Sequence, residues 1–126
     1  MADGDAPHLP NAAPIDAYGN GGFRFAGMSH RGSILCLPDG VWAWPVTSLV
    51  ELTETVLAPV FARGDVLDVF LIGGGREPWV LPEPLRARFR ELSISVDAMT
   101  TGAAMSTYNI LLAEDRRVGA ALIAVE

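Results

Sequence analysis

Two clusters in this chain have residue types and spacing that could do chemistry. Gly73-Gly74-Gly75 follows the apolar run at residues 66–72, and the polar trio Thr107-Tyr108-Asn109 interrupts an otherwise apolar stretch. A glycine turn after a strand is where open α/β sheets hold anions, because backbone N–H groups there can face a phosphate. A dinucleotide fingerprint starting at Gly73 would need glycine at position 78, which is Pro78, so the spacing fails that motif. Chain reversal with close backbone packing is the simpler reading. Polar side chains inside an apolar segment need partners, since an unpaired buried polar group costs about 1 to 3 kcal/mol. Thr100, Thr101, Thr107, Tyr108 and Asn109 are therefore candidates for one of two roles: lining a site beside the glycines, or bonding to backbone and locking the turn.

The remaining reactive side chains point to structure. Cys36 is the single cysteine and lies among aliphatic neighbours in Ser33-Ile34-Leu35-Cys36-Leu37, the setting of a buried small hydrophobe rather than a nucleophile. His30 stands six residues away, about 20 Å along an unbroken strand, so a Cys/His pair is disfavoured. Arg76, Arg86 and Arg90 could line an anion pocket, but a solvated helix face accounts for them. Glu114 and Asp115 end a helix, where the macrodipole disfavours negative charge, and Arg116 and Arg117 are expected to compensate them. Asp97 is expected to cap or turn the chain between a strand and that helix. No His, Cys and carboxylate cluster has metal-ligand spacing, and no serine sits in a Gly-x-Ser-x-Gly elbow. No catalytic residue, metal or cofactor is assigned.

Composition excludes more. All nine basic residues are arginine, so Schiff-base chemistry, a pyridoxal-phosphate linkage and a conventional P-loop are absent from this sequence. A formal net charge of -6 with a pI near 4.8 argues against nucleic acid, which needs a concentrated basic footprint. No run approaches the roughly 20 apolar residues of a membrane span, and the acidic opening is unlike a signal or transit peptide. A cytoplasmic location is expected.

The elements that must position these residues follow from periodicity. Residues 1–13 carry few large apolar side chains and are expected to form a disordered tail before a single α/β domain at 14–126. Short strands at 15–18 and 23–25 flank the turn Gly19-Asn20-Gly21-Gly22; further strands at 33–37 and 41–44 complete an amino-terminal antiparallel meander. Trp42 and Trp44 share one face of the last of these. A helix capped by Thr53 carries Val56, Leu57, Val60 and Phe61 on one face, with Pro59 shortening or kinking it. The run at 66–72 reads as a central strand covered on both sides. An amphipathic helix at 83–92, a strand at 93–96, a third helix from Thr101 to about Asp115 and a strand at 118–125 complete a mixed sheet with at least one right-handed crossover. The third helix is apolar around most of its circumference, so it must be covered on more than one side.

Several segments in one order resemble a known family. They are Tyr18 with Gly22-Phe23-Arg24-Phe25, Gly32-Ser33, the strand into Gly73-Gly74-Gly75, Met99-Thr100-Thr101-Gly102-Ala103-Ala104, and above all Thr107-Tyr108-Asn109-Ile110-Leu111-Leu112 with Glu114 and Arg116. The chain is similar over residues 15–125 to the family of domains of unknown function that includes mitochondrial NADH dehydrogenase (complex I) assembly factor 3. The resemblance implies a compact α/β fold with a mixed central sheet and flanking helices, and no known reaction. It marks Gly73, Gly74, Gly75, Thr100, Thr101, Thr107, Tyr108, Asn109, Glu114 and Arg116 as family-motif positions. Gly74 stands where the family usually has threonine, and Met105 where it often has cysteine. Gly74→Thr is expected to be tolerated if the turn is only structural.

Three expectations follow. The first is a non-enzymatic interaction protein whose partners are proteins, subunits of a membrane-bound respiratory complex. The second is a small-molecule or anion binder, or an enzyme, with its site at Gly73–Gly75. The third is a homo-oligomer whose interface covers part of the third helix or the Trp42/Trp44 strand.

Overall fold

The computed structural model describes residues 7–126 as an α/β fold of three layers. The elements are β1 (Ala17–Gly19), β2 (Gly22–Phe25), β3 (Met28–Arg31), β4 (Ile34–Leu37), β5 (Gly40–Ala43), α1 (Glu54–Phe61), β6 (Val69–Gly73), α2 (Glu83–Glu91), β7 (Ser95–Met99), α3 (Thr101–Ala113) and β8 (Val118–Leu122). Strands β1, β2 and β3 form a small antiparallel sheet, and a mixed sheet of order β5-β4-β8-β6-β7 makes the centre. β6 is parallel to both β7 and β8, while β4 runs antiparallel to β5 and β8.

Alternation along the central strands builds the two cores. Phe70 and Ile72 join Leu35, Leu37, Ala121 and Ile123 on one face, under α1 and α2 with Leu57, Val60, Leu85 and Phe89. Leu71 joins Ile34, Cys36, Ala120 and Leu122 on the other, under α3 and the small sheet with Ala104, Tyr108, Phe23 and Phe25. β6 is thus covered on both faces, as its unbroken apolar run requires. The crossover β6-α2-β7 moves outward along the sheet and β7-α3-β8 moves back. Because their helices lie on opposite faces, the two crossovers share one hand, as the rule for parallel connections demands.

The amino-terminal half differs in detail from a single meander. Asn20 (φ 53°) and Gly21 (φ 79°) make the two-residue turn that an Asn-Gly pair favours between β1 and β2. Ala26 (φ 50°) and Gly27 (φ 75°) repeat that conformation between β2 and β3. Alanine is an uncommon occupant of that region, and Met28-Ser29-His30-Arg31 does not alternate, so β3 has no clear local signature. β4 and β5 then leave the small sheet and join the central one. Trp44 lies just beyond β5, buried, with Nε1 donating to the Val56 carbonyl at 3.1 Å.

Residues 8–13 do not form a tail. The His8 N–H donates to Val41 O (2.8 Å), Val41 N–H donates to Leu9 O (3.0 Å), and Ala13 is buried. Edge-strand groups of β5 supply the partners that composition could not forecast. The expected tail at residues 1–6 lies outside the described residues. Thr53 caps α1 as expected, accepting from Val56 N–H (3.4 Å), and Pro59 falls inside this eight-residue helix. The strand expected at 93–96 starts later: Ser93 (φ 60°) ends α2, and Asp97 lies exposed within β7 instead of capping α3. No helix among the described residues is long and apolar enough to cross a membrane.

Candidate functional site

The glycine turn, the start of α3 and the end of β8 meet at one junction. The Gly75 N–H donates to Thr101 Oγ1 (2.9 Å), and the Thr101 N–H donates back to Gly75 O (2.8 Å). The Thr101 hydroxyl, fully buried, donates to Ile123 O at 2.7 Å, while Ile123 N–H donates to Gly73 O at 2.9 Å. Thr100 is the N-cap, accepting from Ala103 N–H at 3.3 Å. Three of the donors at this helix start are thereby engaged with the protein itself: Gly75 and Thr101 with each other, Ala103 with the cap.

Each glycine of the run meets a different steric demand. A Cβ at Gly73 would lie 2.8 Å from Thr101 Cα and 3.0 Å from Ala104 Cβ, so α3 seats directly on the strand end. Gly75 has φ +117°, a conformation side-chain-bearing residues rarely adopt. A Cβ at Gly74 would lie 2.5 Å from Trp79 Nε1, because the indole rests on that glycine while Nε1 donates to Met99 O at 2.9 Å. Similarly Gly102, in the first turn of α3, lies beneath Tyr18, whose hydroxyl an added Cβ would strike. Neither Trp79 nor Tyr18 is tied to this junction by sequence, because their links to Gly74 and Gly102 are tertiary; an aromatic residue four positions beyond a glycine run is only a faint signal.

Threonine at position 74 therefore conflicts with Trp79, contrary to the expectation that the family's usual residue is tolerated. Gly74→Thr is expected to lower stability by about 1 to 3 kcal/mol, the usual range for overpacking. In a double-mutant cycle with Trp79→Ala, urea melts should recover part of that loss; additive losses would remove Trp79 as the cause.

The polar trio divides. Asn109 clasps the backbone of Ile15 from both sides: Oδ1 accepts from Ile15 N–H (2.9 Å) and Nδ2 donates to Ile15 O (2.8 Å). The buried Tyr108 hydroxyl donates to Ala13 O at 3.2 Å, and its burial raises its pKa. Both residues anchor the amino-terminal segment to α3. Thr107 is partly exposed and carries no such bond among the described residues. Asn109→Ala should cost about 1 to 3 kcal/mol by stripping two backbone groups of their partner, and amide exchange at Ile15 should rise with it; unchanged exchange there would contradict the anchoring role.

Glu114 and Arg116 act through their backbones. Asp115 (φ 60°) takes the left-handed position after α3, its N–H donates to Leu112 O (3.0 Å), and Arg116 N–H donates to Leu111 O (3.0 Å), a Schellman closure. The expected compensation of Glu114 and Asp115 by arginine is not what forms: Arg117 makes a two-pronged ion pair with Asp68 (3.0 and 2.7 Å). That pair holds the Asp68 carboxyl below its usual range.

Cys36 is completely buried, and burial pushes its thiol up to about 12, the state of an inert sulfur. His30 lies in the small sheet beside His8 (ring centroids 4.7 Å), with Nε2 3.3 Å from Ser33 O; burial and then His8 lower its pKa. Arg76 bonds the Glu126 carbonyl and Arg90 pairs with Glu83 (2.6 Å), so the three arginines do not converge on the glycine turn. Among the described residues no group of three metal-ligating side chains is assembled, and no buried side-chain nitrogen or oxygen lacks a partner.

Comparison with known proteins places this framework. The family model described as "Protein of unknown function (DUF498/DUF598)" matches residues 15–123. A crystal structure titled as an outer membrane protein from Bartonella henselae superposes with a TM-score of 0.90 at 54% identity, covering 94% of this chain and 100% of that one. An uncharacterised protein of Rhodobacter capsulatus is 38% identical over 117 residues, 93% of this chain and 89% of the relative. NADH dehydrogenase (ubiquinone) 1 alpha subcomplex assembly factor 3 of Mus musculus is 31% identical over 115 residues. The match takes in 91% of this chain but only 62% of that relative's length.

Proposed function

Because the chain belongs to the DUF498/DUF598 family of proteins of unknown function, we propose that it is a non-enzymatic interaction protein that assists assembly of a membrane-bound, respiratory complex from the cytoplasmic side. The observation that carries this reading is the internal use of the motif residues: Thr101, Tyr108 and Asn109 spend their polar atoms on the protein's own backbone. What such a chain can offer to others lies on its outer surface. The name of the mouse relative, an assembly factor, supplies the class of partner.

The alternative, a small-molecule or anion site at Gly73–Gly75, has less behind it. Its Gly75 N–H is bonded to Thr101, and the Trp79 indole rests on Gly74. A homo-oligomer remains compatible with the surface, where Ile110 of α3 is 60% exposed.

Affinity capture from detergent-solubilised membranes of the native cell tests the proposal. Repeated recovery of respiratory-complex subunits with the tagged chain is the expected result. Repeated recovery of the chain alone would count against it.

A further inference from the structure

The central sheet has an open edge at β7. Ser95 N–H donates to Asp68 O (2.9 Å) and Gly74 N–H donates to Met99 O (3.0 Å), so Ser95 and Met99 turn their backbone groups toward β6. With a period of two, Asp97 does the same, and Val96 and Ala98 turn theirs outward. Among the described residues no backbone group beyond β6 pairs with Val96 or Ala98. Two donors and two acceptors therefore stand in a row. Native edges are usually blunted by charge, proline, a bulge or a covering element; β7, with the sequence Ser-Val-Asp-Ala-Met, carries the single charge of Asp97 and no proline, and its register with β6 is unbroken.

Charge around this edge is arranged by face. Val96 and Ala98 direct their side chains to the α2 side, where they pack against the core with Phe89. On that side Arg86, Arg90, Ser93, Ile94, Ser95 and Val96 line a groove of about 360 Å³. Arg90 is paired with Glu83, but Arg86 has no ion-pair partner among the described residues. On the α3 side of the same strand the exposed charged side chain is Asp97.

We propose that β7 is a docking edge for an extended segment of a partner protein, added as a sixth strand, with acidic side chains toward Arg86 and a basic one opposite Asp97. A second copy of this chain lacks the complementary charge: a two-fold pairing centred on Asp97 would set two carboxylates directly across from each other, which destabilises a strand pair, and one centred on Val96 would set Asp97 opposite Ser95, with no basic partner. The complementary segment reads acid-base-acid along consecutive residues, because neighbours on a strand point to opposite faces. This deepens the interaction reading and rests on it for the biological occupant, whereas the edge can be tested without any complex.

The probe is an acetylated and amidated peptide with the core Val-Glu-Lys-Glu-Val, set against its charge-reversed twin Val-Lys-Glu-Lys-Val. Amide exchange of the full chain is followed by NMR. With the first peptide at tenfold its Kd, exchange at Val96 and Ala98 should slow by about tenfold, the factor expected from occupancy alone. The twin should do much less, and Arg86→Glu should narrow or invert the preference. Ala98→Pro removes one outward donor at an edge position that can accept proline and should abolish the effect; backbone N-methylation of the peptide tests the same bonds without touching the protein. Equal slowing by both peptides, no slowing at millimolar peptide, or protection of Val96 and Ala98 in the unliganded chain through self-association would each overturn the proposal. Failure of membrane capture with retained peptide binding would remove the respiratory complex as partner and leave the edge intact.

Discussion

Thr101→Val is expected to lower the free energy of unfolding by about 2 to 4 kcal/mol, read as a shift of the urea midpoint at unchanged slope. Valine keeps the shape of threonine but cannot accept from Gly75 N–H or donate to Ile123 O, the two side-chain bonds that join the glycine turn and the end of β8 to the first residue of α3. The cost comes from leaving two backbone groups without their partner at a residue with no solvent exposure. Thr101→Ser keeps the hydroxyl and should lose only about 1 kcal/mol, the share of a buried methyl. If the serine variant fell as far as the valine variant, packing and not hydrogen bonding would be holding the junction.

Gly73→Ala is expected to be comparably damaging, about 3 kcal/mol, at the upper end of ordinary overpacking. The added methyl would meet the Thr101 Cα at 2.8 Å, a backbone atom of a helix that cannot turn aside as a side chain could. Relief requires moving α3 off β6, which would also lengthen the Thr101 bonds and loosen the Tyr108 and Asn109 anchors farther along the same helix. Against a total stability of roughly 5 to 15 kcal/mol for a domain of this kind, such a loss is large. A thermal melt within a degree of the parent would contradict the close seating of α3 on the strand end. Gly75→Ala, strained at φ +117° but with no atom within 4 Å, separates conformational cost from steric cost at the same turn.

What the sequence made legible was whatever has a short-range period. The unbroken apolar run of β6 and the stripe of α2, in strands alternating with helices, point to a mixed sheet covered on both faces, and that is the architecture observed. The apolar circumference of α3 also follows: Ala104 and Tyr108 lie in the core, while Met105, Leu111 and Leu112 pack at its margin. The partners of the motif residues were not legible. Asn109 meets Ile15 across 94 positions of chain and Thr101 meets Ile123 across 22, and such bonds leave no local trace in either partner. The bridge from Leu9 to Val41 was hidden for the same reason, since a segment with few large apolar side chains can be held by backbone bonds that composition does not encode. Trp79 is the instructive case: its indole explains why glycine stands at position 74 here, and only the fold brings the two together.

The claim underlying this account is that the junction of β6, α3 and β8 binds the fold together while the surface does the work. The most direct measurement is an NMR titration of the full chain with inorganic phosphate and a panel of mononucleotides, following the amides of Gly74, Gly75, Gly102 and Ala103. The account predicts no saturable shift at these amides, because Gly75 and Ala103 already donate within the protein and Trp79 and Tyr18 rest on Gly74 and Gly102. Saturable shifts confined to those four amides, lost on Thr101→Val, would contradict it and restore the glycine turn as a ligand site.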